Sequence, residues 1–469
     1  MQSLISLREI EYVQSGIFPA LAPNQLALWR DGENIDFTEG AIEKSKGWTV
    51  EPGTTVGGQT YEINALAQAA PETERRIYSG LGGAAYSALR VWDSGVGRDL
   101  GHAYANGQWS LETWGTWLLA TNDVDPVQVW KGGVSGAAAL AGVAVSRAKI
   151  VRKLANHVIL YNTNLSGQEA RWCSRSDPET WTATEATTAG DFTIRDLDGD
   201  IECVEPLGDA LAFYTQDSMG LTQYVGAPFI FSHTVRINGI GAVSSRAVAA
   251  VGKQHYGLSR KGFWRTDGFS LAYVDSPAVK RWFQSMVDWT LASKICVFHN
   301  EQLERVEWYF TDLSGNRLGI AYDYARNNWT KLKKPITAVI EQQVYNTPIA
   351  ATGTGFGFFP SGVNANGAAL TANLSTTALD GGQKERFKRW DMLRVEYTER
   401  VGTVEVRFGF SDTSPEESSM DWSAWSSLAR ENWINRESIY LMVQFRWTGL
   451  DSKIRIGGLD ILGEGAGYQ

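Results

Sequence analysis

Carboxylates that could bind a metal ion stand close together at one place in the chain. Asp196, Asp198 and Asp200 form the string DLDGD, and alternating carboxylates on a loop can converge on Ca²⁺, as at the start of an EF-hand loop. The sixth position of such a loop should be Gly but is Ile201. A solvated turn is the simpler interpretation, so the three aspartates are only weak metal candidates.

Side chains suited to catalysis form no recognisable constellation in this sequence. The five histidines include no pair at zinc-ligand spacing, and there is no GxSxG, HExxH or P-loop string. A glycosidase needs two carboxylates ~5–10 Å apart across a cleft, and nothing singles out a pair among the 52 acidic residues. We therefore predict no catalytic residues and no cofactor, with a propeller glycosidase or lyase as a less favoured alternative.

Three tryptophans are the candidate interaction residues. Trp422, Trp425 and Trp433 lie in the polar stretch Asp412–Trp433. An exposed indole can stack on a sugar ring or anchor a protein interface. Burial in a core is the competing interpretation for each of them.

The composition indicates the kind of elements that must position these residues. The chain has 48 Gly and 19 Trp among 469 residues, and only 20% of its residues are charged. Many Gly and aromatic residues with modest charge are typical of short strands joined by tight turns. We therefore predict an all-β protein.

One pattern, an apolar strand, a polar turn and a second strand often ending in an aromatic residue, occurs seven times. The seven starts are 42, 40, 53, 44, 51 and 43 residues apart, which is about the length of one four-stranded propeller blade. The seven segments are Arg76–Trp92, Leu118–Trp130, Val158–Trp172, Leu211–Tyr224, His255–Trp264, Val306–Tyr324 and Ile349–Phe359.

A further β-compatible segment precedes most of these hairpins, so each unit has at least three antiparallel strands. We expect a fourth strand after each hairpin, for example at Thr180–Thr184 or Asn328–Leu332. These units predict a β-propeller over residues 49–375 with about seven blades, six or eight being possible. Unrelated hairpins in two sandwiches are the alternative.

The two ends of the chain differ from the repeats. Leu393–Thr398 and Thr403–Phe410 alternate apolar and polar residues, as half-buried strands do, which predicts a C-terminal jelly-roll-like β-sandwich over residues 385–469. Residues 1–48 contain a turn-rich hairpin. We expect this N-terminal arm to pack on the ring or on a neighbouring subunit.

Charge and cysteine content narrow the possible partners and compartment. A net charge of −9 argues against static clamping of nucleic acid, although it allows DNA to pass an acidic wall without sticking. Cys173, Cys203 and Cys296 are odd in number and far apart, which favours a reducing folding compartment. We see no secretory signal and no apolar run long enough for a membrane span.

Several strings resemble the tail proteins of short-tailed bacteriophages. Their N-terminal pattern N-x-x-F-x-x-G-x-x-x-K-x-x-G falls here on Asn34, Phe37, Gly40, Lys44 and Gly47. Strings in the same order follow it: Leu221–Phe231, Gly239–Val251, Gly262–Gly268, Pro277–Phe283 and Val306–Trp329.

The resemblance implies a tail nozzle or hub protein similar to tail tubular protein B. Such a subunit would form a homo-oligomeric ring, expected to be a hexamer, around the path of DNA ejection. It would dock the tail adaptor protein and the tail fibres or spikes, and double-stranded DNA would pass without stable binding. The implied location is the virion tail, assembled in the host cytoplasm. The main alternative is a carbohydrate-binding receptor protein that uses Trp422, Trp425 or Trp433.

Overall fold

The structure, a computed structural model, describes residues 2–6, 29–38, 41–57, 60–69, 76–93, 96–341, 347–382 and 386–465. It begins with four strands that lie outside the repeats: β1 (Gln2–Ser6), β2 (Trp29–Glu33), β3 (Ile35–Thr38) and β4 (Ala41–Lys44).

Seven antiparallel sheets follow in chain order, six with four strands and the last with three. The first three blades are β5 to β8 (Glu62–Ala69, Arg76–Gly82, Ala88–Asp93, Val96–His102), β9 to β12 (Ser110–Trp114, Trp117–Thr121, Gln128–Trp130, Ala138–Ala139) and β13 to β16 (Ala148–Leu154, His157–Thr163, Glu169–Trp172, Gly190–Thr193). The next two are β17 to β20 (Cys203–Leu207, Ala210–Tyr214, Ser218–Gly226, Ile230–Asn238) and β21 to β24 (Val248–Val251, Gln254–Ser259, Gly262–Thr266, Leu271–Tyr273). The last two are β25 to β28 (Cys296–Asn300, Arg305–Thr311, Arg317–Asp323, Asn328–Leu332) and β29 to β31 (Ala338–Ile340, Ile349–Ala351, Phe356–Phe358).

The first strand of each sheet lies at the centre of a ring. Each of these seven inner strands contacts the inner strand of the next sheet, and β29 of the seventh contacts β5 of the first. The fold is therefore a closed seven-bladed β-propeller, as the repeat predicted. The seven predicted hairpins form the second and third strands of the blades.

Large aromatic side chains fill the wedges between blades. The ring centroid of Phe263 lies 4.9 Å from that of Trp308 and 5.0 Å from that of Trp329, between the fifth and sixth blades. The helix α1 (Pro277–Met286) adds Phe283 to the same cluster, at 4.8 Å from Phe263. The described part of the chain also contains three 3₁₀ helices: Trp289–Lys294, Glu301–Leu303 and Glu417–Ser419.

The fourth strand was predicted less well than the hairpins. Asn328–Leu332 is indeed β28, but Thr180–Thr184 is not a strand, and the outer strand of the third blade is Gly190–Thr193. The reason is local. Thr184 and Thr187 bond each other within a polar turn, and the chain reaches the blade edge only after that turn.

The outer edge of the three-stranded seventh blade is covered by a segment from before the first blade. Glu51 N–H donates to the Phe356 carbonyl at 2.9 Å, and the Thr54 hydroxyl donates to the same oxygen at 3.1 Å. A Cβ at Gly357 would lie 1.9 Å from the carbonyl oxygen of Thr49, so the two backbones touch. The N-terminal side of the propeller thus closes the ring against its last blade.

The second domain is a β-sandwich built from both ends of the chain. After the small hairpin β32 and β33 (Asn364–Ala365, Ala368–Ala369), it contains β34 to β37 (Ala372–Thr376, Lys388–Val401, Val404–Ser411, Asp421–Trp422) and β38 to β41 (Ser426–Ser427, Glu431–Ser438, Tyr440–Trp447, Lys453–Gly465). One sheet has the order β3-β4-β41-β35-β39, with β1 also paired to β41. The other has the order β2-β34-β40-β36-β37, with β38 paired to β36.

The N-terminal arm lies elsewhere than expected. Strand β4 pairs with β41 at Ile42 and Ile456, so the hairpin of β3 and β4 is part of a sandwich sheet rather than a separate arm on the ring. Phe37 and Ile42 are buried in the sandwich core, which provides the physical reason for this placement. The same stretch also contacts the propeller, through β2, Asp36 and Trp48, so part of it does pack on the ring. The sandwich also starts earlier than residue 385, at Ala372.

Candidate interaction sites

The residues that carry the N-terminal pattern lie where the propeller meets the sandwich. Strand β2 of the sandwich pairs in parallel with β28 of the sixth blade, which joins the two domains in one ten-stranded sheet. Asn34 follows β2 with a φ of 56°, in the left-handed region that Asn tolerates better than most residues. Its side-chain amide donates to the Thr371 carbonyl at 2.8 Å and accepts from the Lys333 N–H at 2.8 Å. Asn34 therefore ties three segments of the junction together.

Lys44 and Gly47 have equally specific positions at this junction. The buried Lys44 ammonium donates to the Leu370 carbonyl at 3.3 Å and to the Ser452 hydroxyl at 3.1 Å. Burial lowers the pKa of Lys44 to about 8, although the nearby Asp451 charge opposes the shift. A Cβ at Gly47 would lie 1.8 Å from the Asn364 carbonyl oxygen, so only glycine fits. Gly40 lies outside the described residues.

A buried ionic network also crosses the junction. Arg305 of the sixth blade donates to Asp36 of the sandwich at 2.5 Å and to Glu307 at 2.7 Å. Burial alone would raise the pKa of both carboxyls, but Arg305 and Lys334 outweigh it and hold both pKa values below their usual range. Lys334 is also buried, and its pKa falls to about 8. Two positive and two negative charges therefore balance inside the protein.

A small cavity lies at the centre of the propeller. It has a volume of about 180 Å³ and is lined by residues of all seven inner strands: Ala65, Ser110, Arg152, Glu205, Val248, Val297 and Val339. Arg152 and Glu205 form an ion pair across it at 2.6 Å. Arg246, which also lines the cavity, donates to the Thr337 carbonyl at 2.8 Å and to the Gln108 side chain at 2.9 Å. Charged side chains therefore occupy the propeller axis.

A cleft of about 390 Å³ opens on the outer face of the sandwich sheet that continues into the sixth blade. Strands β36 and β40 alternate buried and half-buried residues, so Glu405, Arg407, Gln444 and Arg446 share this outer face. Arg407 Nε donates to the Gln444 side-chain oxygen at 2.8 Å, and the Gln444 amide donates to Glu417 at 2.8 Å. Arg446 Nε donates to Glu405 at 2.7 Å. We call this site the Trp425 cleft, since that residue lines it.

Two of the three candidate tryptophans meet at this cleft. The Arg407 guanidinium carbon lies 4.4 Å from the Trp422 ring centroid and 4.6 Å from that of Trp425. The Arg446 guanidinium carbon lies 4.1 Å from the Trp425 centroid. Both indoles are half-buried, and their contacts with the arginines fix them over the sheet.

The third tryptophan belongs to a different surface. Trp433 is 59% exposed and lies on β39, which pairs with β35 in the other sheet of the sandwich. The three candidate tryptophans therefore do not share one surface. The cleft residues Arg407, Gln444 and Arg446 were missed, although the alternation of Thr403–Phe410 and Tyr440–Trp447 would have placed them on one face.

The aspartates singled out as weak metal candidates remain apart from other ligands. Asp196, Asp198 and Asp200 are all exposed on the loop between β16 and β17. Within the described ranges, no group of three His, Cys, Asp or Glu side chains could hold a metal ion. The three cysteines are buried and free. No helix in the described part of the chain is long and apolar enough to cross a membrane.

Comparisons with known proteins give only distant likenesses. No family model matches the chain, and no curated protein matches it. Similar solved structures include a mitotic checkpoint complex (10% identity, TM-score 0.45, covering 67% of this chain and 92% of that one) and YCF48 from Cyanidioschyzon merolae (10%, 0.40, 66% and 97%). A glycoside hydrolase matches at 9% identity and a TM-score of 0.28, covering 87% of this chain and 99% of that one. Likenesses at this level carry no conclusion about function.

Proposed function

We propose that this protein is a structural subunit of a ring-shaped virion tail assembly, a nozzle or hub of the kind found in short-tailed bacteriophages. The observation that carries the proposal is the position of the family-like N-terminal pattern. Asn34, Lys44 and Gly47 each make a specific contact at the junction of propeller and sandwich. These three positions of the resemblance thus coincide with residues that build the two-domain architecture.

The junction makes the chain suited to a mechanical, non-catalytic role. A ten-stranded sheet runs without interruption from the sixth blade into the sandwich, and the buried ions of Asp36, Arg305 and Glu307 bridge the two domains. Relative domain motion would break ladder hydrogen bonds and expose charges. A subunit with these connections transmits force as one body.

The path of DNA in this proposal lies between subunits. The cavity on the propeller axis measures about 180 Å³ and contains the Arg152–Glu205 ion pair. It is too small for a DNA duplex, whose major groove alone is ~12 Å wide. Copies of the chain arranged in a ring, expected to be six, would enclose the channel. The net charge of −9 favours passage of double-stranded DNA without stable binding. The adaptor protein and the fibres or spikes would dock on other faces, in a virion tail assembled in the host cytoplasm.

Imaging of the purified full-length protein tests this proposal. We expect negative-stain micrographs and mass photometry to show closed rings, either alone or with the adaptor protein of the same virion. A matched control is Trp433→Ala, which removes an exposed side chain and should leave assembly unchanged unless that face is an interface. A protein that stays monomeric even with the adaptor would refute the ring.

A second candidate function, recognition of a carbohydrate, is favoured by one specific observation. Trp425 lines a 390 Å³ cleft together with amide, hydroxyl and charged side chains. An aromatic side chain beside hydrogen-bonding groups is the mixture that sugar-binding sites use. Titration of the full-length protein with saccharides should give binding that Trp425→Ala abolishes and that Trp433→Ala retains. If none of a broad panel of glycans binds, this candidate function is refuted.

A further inference from the structure

We propose that the Trp425 cleft binds an acidic saccharide and that Arg407 is the residue that contacts the carboxylate of the sugar. This inference rests on the second candidate function above and adds the charge of the ligand and the residue that reads it.

Arg407 is the side chain in the cleft with unused capacity for an anion. Its guanidinium lies between the indoles of Trp422 and Trp425, and its Nε is bonded to Gln444. Within the described residues, it forms an ion pair with no carboxylate at contact distance. Arg446, by contrast, donates to Glu405 at 2.7 Å. The outer nitrogens of Arg407 therefore remain available to a ligand.

The surroundings of Arg407 strengthen its attraction for an anion. Burial lowers the pKa of Arg407, which reports partial loss of hydration. The nearest acidic side chain with an electrostatic effect on it, Glu417, is engaged by the amide of Gln444 at 2.8 Å. A weakly hydrated, planar guanidinium binds a carboxylate through two parallel hydrogen bonds, and two flanking indoles fix its orientation in advance.

The rest of the cleft suits a sugar better than a simple anion. Asn373, Ser375 and Thr448 line it beside Trp425, so hydroxyl partners and an aromatic platform stand together. The Gln444 amide is also 3.3 Å from the Ser375 hydroxyl, which links both sides of the cleft into one polar network. The volume of about 390 Å³ falls in the range of small-ligand sites. A ligand with several hydroxyls and one carboxylate would use the polar side chains and Arg407. The acidic side chains of the cleft have partners of their own: Asp31 pairs with Lys331, and Glu417 accepts from Gln444.

Calorimetric titration of the full-length protein tests the inference. The probes are oligosaccharides that carry galacturonate, glucuronate or sialic acid, each beside its carboxyl-reduced counterpart. We expect at least one acidic probe to bind tenfold or more tightly than its reduced form, and added salt to weaken only the acidic form. Arg407→Gln should remove this preference and leave binding of the reduced form within twofold. Arg407→Lys, which keeps the charge without the fork, should retain part of it.

The control is Arg394→Gln, which breaks an exposed ion pair with Glu431 on the other sheet and should change nothing. Circular dichroism of each variant verifies folding. Equal affinity for acidic and reduced forms, or an Arg407→Gln variant that keeps the preference, would overturn the inference while leaving carbohydrate recognition standing. If no saccharide of either kind binds, both the inference and the second candidate function fail.

Discussion

Replacement of Arg305 by Met should destabilise the protein through the charges that it leaves behind. Arg305 lies between Asp36 and Glu307, at 2.5 and 2.7 Å, and all three side chains are buried. The variant retains two buried carboxylates against Lys334 alone. Removal of one partner from a buried ion pair costs ~3–5 kcal/mol, and Arg305 serves two partners, so we expect a loss at the upper end of that range.

The assay is urea denaturation followed by tryptophan fluorescence and circular dichroism. Because Asp36 belongs to the sandwich and Arg305 to the propeller, the variant should also separate into two transitions, one for each domain. Arg436→Met is the matched control. It breaks an exposed ion pair with Asp421, and such pairs contribute about 0–1 kcal/mol.

Acid provides a second measurement on the same variant. The pKa values of Asp36 and Glu307 are lowered in the folded protein, so their contribution is present above about pH 4 and is lost as the pH falls through the folded values. The gap in stability between wild type and Arg305→Met should therefore narrow below pH 4. A loss no larger than that of Arg436→Met, or a gap that does not change with pH, would refute this reasoning.

Three further predictions concern single positions. Gly47→Ala should lower the free energy of unfolding, measured by urea denaturation, by ~1–3 kcal/mol, because the added Cβ would collide with the Asn364 backbone. Gly57→Ala, which has open space around it, should be nearly neutral. Lys44→Met should flatten the pH dependence of stability between pH 8 and 10. Because the pKa of Lys44 is lowered to about 8 in the folded protein, the free energy of unfolding of the wild type rises by about 2–3 kcal/mol as the pH rises through that window. An unchanged slope in the variant would contradict this. His255→Gln should flatten the pH dependence of stability between pH 6.5 and 4. The buried ring donates from Nε2 to the Pro206 carbonyl and accepts at Nδ1 from the Tyr214 hydroxyl, both at 2.7 Å. Burial lowers the pKa of His255 from 6.5 to about 4, so the wild type loses stability as the pH falls from 6.5 to 4. Parallel acid titrations of both proteins would contradict this.

The propeller could be predicted from the sequence because its signal is local. Each hairpin, such as Val306–Tyr324, contains both of its strands and its turn within 20 residues or so, and seven copies reinforce one another. The sandwich was harder, because the pairing of Ile42 with Ile456 joins strands from opposite ends of the chain. No local pattern specifies such a partner, so the N-terminal hairpin was assigned to the ring or to a neighbouring subunit instead.

The candidate site, like the fold, could be predicted only as far as local sequence signals reach. Residue type singled out Trp422, Trp425 and Trp433. It could not show that Arg407 contacts the rings of the first two, while Trp433 is exposed on the other sheet. That arrangement depends on which strands are neighbours in the sheet. The alternation of β36 and β40 contained the information on orientation, and only their pairing brought Arg407, Gln444 and Arg446 together.

The construction of the sandwich from both ends of the chain has a consequence for biosynthesis. Strands β3 and β4 are synthesised before the propeller, yet β41, the partner of β4, is made more than 400 residues later. At ~5–20 residues per second, these apolar strands wait tens of seconds, while the seven blades are made one after another. Strand pairing across such a separation is slow because a long loop must close first. The synthesis of β41 therefore controls when the sandwich sheet of β4 is completed, and chains that stop short of it would display Phe37 and Ile42 to quality-control chaperones and proteases.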